Sequence, residues 1–212
     1  MKFNTKVIHG GQHHDPSTGA VMPPIYHTST FAQKSPGVHT GYEYSRADNP
    51  TRTALEHALE SIENGARGLA FSSGLAAIDC VLRLLKPNDE VIAMDDLYGG
   101  TYRLFTRFYQ DLGIKFHFIN MNDLELFQSK INANTKLVWI ETPTNPLMKL
   151  ADIEAIAKIT KQNNILFAVD NTFATPYLQK PLDLGADIVM HSATKYLGGH
   201  SDVIAGALII KE

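Results

Sequence analysis

Asp187-Ile188-Val189-Met190-His191-Ser192-Ala193-Thr194-Lys195 is the stretch around which the chain is organised. A short apolar strand, Asp187–Met190, runs into two hydroxyls and one amine, and Gly198-Gly199 follows. An amine attacks a carbonyl only when deprotonated, and burial or neighbouring charge can bring a lysine to that state. Ser192 and Thr194 offer hydroxyl donors to phosphate oxygens without adding charge. Alone, the stretch also fits a solvated loop lysine behind a strand. What decides between the two is whether other strands end in matching chemistry.

Short apolar runs recur before it at Gly68–Phe71, Val91–Met94, Ile114–Ile119, Lys136–Ile140 and Ile165–Val169, and after it at Ile204–Ile210. Helical patterns separate most of them. Asn49-Pro50 starts one, with Leu55, Leu59 and Ile62 as its apolar stripe and Asn64-Gly65 as its end. Others run from Gly74 to Leu85, Thr101 to Leu112, Leu124 to Ile131, and over 153–163 behind Asp152. Seven strands alternating with helices predict an α/β fold, a largely parallel sheet covered on both faces. Ligands of such sheets sit beyond the carboxyl ends of the strands. Those ends read Ser72-Ser73-Gly74, Asp95-Asp96-Leu97-Tyr98-Gly99-Gly100, Glu141-Thr142-Pro143-Thr144-Asn145-Pro146, Asp170-Asn171-Thr172 and Ser192-Ala193-Thr194-Lys195.

Each end has a bland reading and a chemical one. Ser73-Gly74-Leu75 is either a plain strand–helix turn or a phosphate cradle, since glycine lets backbone approach an anion and a helix start offers free N–H groups. Tyr98 is a half-buried tyrosine or a ring that stacks on a flat heterocycle. Asp170 is a turn residue or a carboxylate that holds a proton on a ring nitrogen. Together they offer what pyridoxal phosphate needs: an amine nucleophile, a pyridinium partner, phosphate donors and a ring clamp. No G-x-G-x-x-G or Walker pattern opens a helix, and no H-E-x-x-H suggests zinc, so no metal is expected. His13, His14 and His191 read as surface residues or as support behind the site. Cys80, among Ile78, Val81 and Leu82, reads as a buried inert thiol.

Composition narrows the class. The 212 residues are 44% hydrophobic, enough for one sizeable core, and the net charge of -3 argues against nucleic-acid or membrane-surface partners. No apolar run approaches the ~20 residues of a membrane span. One cysteine and a polar N-terminus point to a cytoplasmic protein. Residues 1–45, rich in Gly and Pro and without sustained periodicity, read as an extended arm that packs on another surface, such as a second subunit; residues 46–212 form the main domain.

The chain resembles the trans-sulfuration (Cys/Met metabolism) enzymes that use pyridoxal 5'-phosphate, the group of cystathionine γ-lyase and γ-synthase. The motifs are Tyr44-Ser45-Arg46, Asn49-Pro50-Thr51-Arg52, Ser73-Gly74-Leu75-Ala76-Ala77, Tyr98-Gly99-Gly100-Thr101, Glu141 to Pro146, Val169 to Phe173, and Ser192 to Tyr196. The resemblance implies a fold type I (aspartate-aminotransferase-like) large domain. It implies that Lys195 carries the cofactor and moves protons, Asp170 pairs with the pyridine nitrogen and Tyr98 stacks on the ring. Gly74, Leu75, Ser192 and Thr194 would hold the phosphate, and Asn145 would lie near the ring and the substrate carboxylate. Tyr44 and Arg46 would reach the phosphate of a neighbouring subunit in a homo-oligomer, a dimer of dimers. The expected reaction is γ-elimination on cystathionine, with γ-replacement on an activated homoserine as the alternative. An inert cofactor-binding half is the non-enzyme reading. Methionine γ-lyases usually carry Cys where this chain has Gly100, which disfavours that activity. The family's smaller C-terminal domain, with the Arg that grips the substrate carboxylate, is expected to lie outside residues 1–212.

Overall fold

The apolar runs form seven strands of one sheet in the computed structural model, which describes residues 1–211. They are β1 (Arg67–Phe71), β2 (Glu90–Met94), β3 (Lys115–Ile119), β4 (Thr135–Glu141), β5 (Leu166–Asp170), β6 (Ile188–His191) and β7 (Gly206–Ile210). Their order is β1-β7-β6-β5-β4-β2-β3. β7 runs antiparallel to β1 and β6, and the other pairings are parallel. One reversed strand between two others leaves β1 aligned with β2 to β6. Six carboxyl ends therefore share one edge. Central strands buried on both faces read as near-continuous apolar runs: β2 is wholly buried and apolar after Glu90, and β4 is buried at all but Lys136.

Helices of the second unit pack on the sheet, and side chains cap several helix starts, Asn49 and Asp152 as predicted. Asn49 accepts from the Thr51 N–H at 2.9 Å ahead of α2 (Pro50–Glu63), following α1 (Phe3–His9). Ser73 accepts from Ala76 ahead of α3 (Gly74–Leu82), which packs on β6 and β7. α4 (Gly99–Leu104) follows β2. Asp123 and Asp152 cap α5 (Leu124–Lys130) and α6 (Ile153–Gln162); a short α7 (Thr175–Leu178) follows β5. Asn64 ends α2 with φ 59°, the left-handed turn that Asn tolerates.

Several boundaries differ from the sequence reading. The arm contains α1, which buries none of its residues and so leaves no apolar stripe to read. α3 stops at Leu82, and Leu84 is exposed. The helix expected at 101–112 begins at Gly99 and widens into a π-turn over Phe105–Tyr109, which puts both of those rings in the core. The last strand begins at Gly206; Ile204, at 75% exposure, lies outside it. Leu55, expected on the apolar stripe of α2, is half exposed, whereas Leu59 is buried.

The chain divides into two compact units, Met1–Ile62 and one that begins at Glu63. In the first, the Lys6 ammonium reaches the Ser61 carbonyl at 2.9 Å, and Asp15 closes a turn by accepting from Ser17 and Thr18. The second carries the sheet.

Candidate active site

Eight of the ten predicted site residues line one cavity of the second unit, and they come from five strand ends. The cavity measures about 220 Å³. Gly74 and Leu75 come from the end of β1, Tyr98 from β2, Asn145 from β4, Asp170 from β5, and Ser192, Thr194 and Lys195 from β6. Tyr44 and Arg46 are not among the lining residues. They are exposed in the first unit, where the Arg46 guanidinium lies 4.8 Å from the centre of the Tyr44 ring. Their neighbourhood is a shallow cleft with Tyr26, His27, Thr28, Ser29 and Ser45.

The first N–H groups of α3, at Gly74 and Leu75, lack intrahelical acceptors. A Cβ on Gly74 would stand 2.9 Å from the Ser192 Cβ, so glycine is what lets the helix start meet the loop after β6. The Ser192 N–H donates to the Thr172 hydroxyl at 2.8 Å. Its own hydroxyl has no partner among the described residues. The Thr194 hydroxyl is already engaged, donating to the Ala205 carbonyl at 3.1 Å and accepting from the Ala205 N–H at 3.0 Å. Thr194 must turn from Ala205 to serve a phosphate, a demand that residue type alone does not reveal.

Asp170 is buried. Its Oδ1 accepts from the Thr172 N–H at 3.0 Å and the Thr172 hydroxyl at 2.5 Å. Its Oδ2 has no partner among the described residues. Burial raises the Asp170 pKa, against the opposing pull of the Thr172 bonds and of His191. A cation placed against the free oxygen would relieve that burial. Lys195 is exposed at the rim rather than enclosed, and its amine has no partner among the described residues. The Tyr98 ring folds back over the start of α4, where a Cβ on Gly100 would lie 2.3 Å from Tyr98 Cε1.

Sequence reasoning passed over the supporting carboxylates Glu141, Asp96 and Glu63. Glu141 ends β4 inside the cavity, buried, and accepts the Tyr98 N–H at 2.7 Å. Buried Asp96 accepts from the Thr144 hydroxyl and from the Leu147 N–H at 3.1 Å, tying the loop after β2 to the loop after β4. Of the two readings of His191, support behind the site is the one found, though its partner Glu63 was not foreseen: it is buried, and its Nε2 lies 2.5 Å from Glu63 Oε1, which also accepts from Asn171 at 3.0 Å. Glu63 precedes its partner by 128 positions, too far for any motif to connect them. Cys80 is only partly buried, against the core. Among the described residues no group of His, Cys, Asp and Glu could hold a metal, and no helix is long and apolar enough to cross a membrane.

The free groups match pyridoxal phosphate: a helix start and a hydroxyl for an anion, a half-satisfied buried carboxylate for a protonated ring nitrogen, a tyrosine ring, and an unpartnered amine. Residues 4–212 match the model of the family described as Cys/Met metabolism PLP-dependent enzyme. The chain is 53% identical to a cystathionine β-lyase of Coxiella burnetii over 98% of its own length and 54% of that protein. It is 55% identical to a probable cystathionine γ-synthase of Herpetosiphon aurantiacus, over 98% of the chain and 65% of the relative. The crystal structure of cystathionine γ-lyase from Lactobacillus plantarum complexed with L-serine superposes with a TM-score of 0.98 at 49% identity, covering 100% of this chain and 55% of that one. The chain thus spans little more than half to just under two thirds of the proteins it matches.

Proposed function

The chain belongs to the Cys/Met metabolism family of PLP-dependent enzymes, whose cofactor is pyridoxal 5'-phosphate, and on that premise we propose that the protein eliminates the γ-substituent of cystathionine. Cystathionine and water give cysteine, 2-oxobutanoate and ammonia. The observation that carries this reading is the joining, at one cavity, of an unpartnered lysine and a buried aspartate with a free oxygen. Likeness to a solved γ-lyase fits this reaction, and the relatives named β-lyase and γ-synthase set the alternatives to be tested.

The cofactor, when bound, supplies an electron sink conjugated to the substrate's Cα. The chain's own groups do the rest. Lys195 would hold the cofactor through its amine, and the free amine would take the proton from the substrate's Cα. Asp170 keeps the ring nitrogen protonated, and Thr172 keeps Asp170 oriented. Tyr98 covers the ring. Gly74, Leu75, Ser192 and Thr194 hold the phosphate. Asn145 orients the substrate carboxylate. Loss of a further proton at Cβ then expels the γ-sulfur. We further propose a homo-oligomer in which Tyr44 and Arg46 complete the phosphate site of a neighbouring subunit.

Borohydride should fix the cofactor on the peptide that contains Lys195, and Lys195→Ala should prevent the fixing; a label on another lysine refutes the site. The oxo acid made from cystathionine then identifies the reaction. 2-Oxobutanoate with cysteine supports γ-elimination. Pyruvate with homocysteine means β-elimination, the activity named for the Coxiella burnetii relative. Consumption of an activated homoserine and cysteine without an oxo acid means γ-replacement.

A further inference from the structure

Strands β4 and β5 pair so that Glu141 stands directly beside Asp170. Paired positions on adjacent strands direct their side chains to the same face, with the strands about 5 Å apart. Both carboxyls are buried and both line the cavity. Asp170 has a task in the proposed reaction, and Glu141 has had none. A buried carboxylate beside another is costly unless something is gained from it.

What it holds is backbone. Glu141 Oε2 accepts the Tyr98 N–H at 2.7 Å, and the Asn145 N–H also favours its ionised form. Tyr98 precedes α4 with φ -47° and ψ 128°, outside the helical region, and α4 has no side-chain cap of its own. The bond to Glu141 therefore anchors the backbone just where the Tyr98 ring departs. The ring itself lies against Gly100, close enough that a single Cβ there would meet it. One end of Tyr98 is fixed by a short hydrogen bond to Glu141 and the other by a surface with no side chain.

We propose that Glu141 is a positioning residue: it pins the Tyr98 backbone and thereby sets how firmly the Tyr98 ring closes on the cofactor's heterocycle. The inference rests on the assignment of Tyr98 to the cofactor ring. Leaving the Tyr98 N–H without its acceptor corresponds to a factor of about 10 to 100. That loss should appear in cofactor affinity, and only while the ring is present.

The test is a double-mutant cycle in the natural full-length protein, read as the dissociation constant for pyridoxal 5'-phosphate. Glu141→Ala should weaken binding about 10- to 100-fold with Tyr98 present, and less than about 3-fold in a Tyr98→Ala background. Equal factors in both backgrounds overturn the proposal, because a carboxylate that merely stabilises the loops acts whether or not the ring is there. If circular dichroism shows that Glu141→Ala does not fold, Glu141→Gln serves, since its amide keeps one acceptor. It should cost about 3-fold with the ring and nothing without it; the same cost in both overturns the proposal. Wild-type protein that binds no cofactor overturns the inference and the proposed function together. Wild-type protein that binds cofactor but leaves cystathionine intact overturns the proposed function alone.

Discussion

In the unit that begins at Glu63, the polar side chains of the cavity are fixed by partners on other strand ends. Asp170 leans on Thr172, Thr172 on Ser192, Tyr98 on Glu141 and Thr144 on Asp96. In the unit Met1–Ile62, the exposed Tyr44 and Arg46 meet each other instead. An exposed cation–π contact is worth about 0.5–1 kcal/mol, too little to hold a guanidinium fork in one place. Strand ends fix geometry in advance because the sheet's ladder fixes the backbone beneath them. The Tyr44 and Arg46 side chains have no hydrogen-bond partner among the described residues, only each other. The first region should therefore respond to substitution as a set of precise parts, and the second as a contact supplied from outside.

Asp170→Asn gives the largest break in the first region. An amide keeps the shape and can still receive the Thr172 bonds, but it cannot hold a ring nitrogen protonated by charge. We expect the cofactor to remain bound and turnover of cystathionine to fall by about 10²-fold or more, as for other groups that stabilise developing charge. Near-normal turnover, measured beside the absorbance of bound cofactor, would remove Asp170 from its role.

Arg46→Ala tests the second region. Loss of a charge-assisted phosphate contact should weaken cofactor binding by about 10- to 100-fold. If the contact is made between subunits, mixing Arg46→Ala with Lys195→Ala subunits should restore part of the activity, because one site of each mixed pair keeps both groups. No recovery after proven subunit exchange would assign Arg46 to its own chain.

The same contrast governs what could be read from the sequence. The runs Val91–Met94 and Leu137–Ile140 were legible because every side chain in them is buried on one face of the sheet or the other. Strand order was not, since alternation with helices does not tell where β7 inserts or that it runs backwards. α1 was invisible because a helix that buries nothing needs no apolar period. The π-turn was hidden because Tyr102, Leu104, Phe105, Phe108 and Tyr109 leave no single phase to follow. At the site, candidates could be named wherever a strand ends in suitable chemistry, and eight of them line one cavity. The tasks of Glu141 and Asp96 and the pairing of Glu63 with His191 could not, because they depend on register and on partners far along the chain.

Gly100→Ala sharpens the comparison with a smaller effect. The added methyl meets the Tyr98 ring at 2.3 Å, and the ring must tilt because the backbone on its other side is held by Glu141. Cofactor affinity should fall about 3- to 10-fold, on the order of 1 kcal/mol, the scale of a mild steric insertion. The fold should be unaffected, since Gly100 has negative φ and lies in α4, where Ala is the better helix former. Unchanged affinity would mean that the ring is not what closes the site.

The smallest expected effect concerns the cofactor-free protein and pH. Burial first, and then the charge of Asp170, push the Glu141 carboxyl well above its ordinary value, and burial does the same to Asp170. Asp96 also faces Glu141 and adds to the rise; the N–H groups of Tyr98 and Asn145 oppose it. Beyond Asp170 stands His191, paired with Glu63, and Lys195 lines the same cavity. A carboxyl with a raised folded pKa binds its proton more tightly folded than unfolded. Its contribution to stability is thus highest at low pH and declines as pH rises from the ordinary value of 4.5 through the raised one. Glu90 has the opposite sign. Bonds from Asn132 and then His117 lower its pKa, so its contribution is present above the ordinary value and is lost as pH falls. Thermal melts of cofactor-free protein should therefore show stability decreasing from mildly acidic to neutral pH. Glu141→Gln removes the titrating group and one of two adjacent charges while retaining an acceptor for the Tyr98 N–H. It should flatten that limb and raise the neutral-pH melting temperature by about 3 °C, on the order of 1 kcal/mol for a chain of this size. If the substitution lowers melting temperature equally at every pH, the carboxyl pair does not compete for a proton, and Glu141 is ionised beside Asp170 throughout.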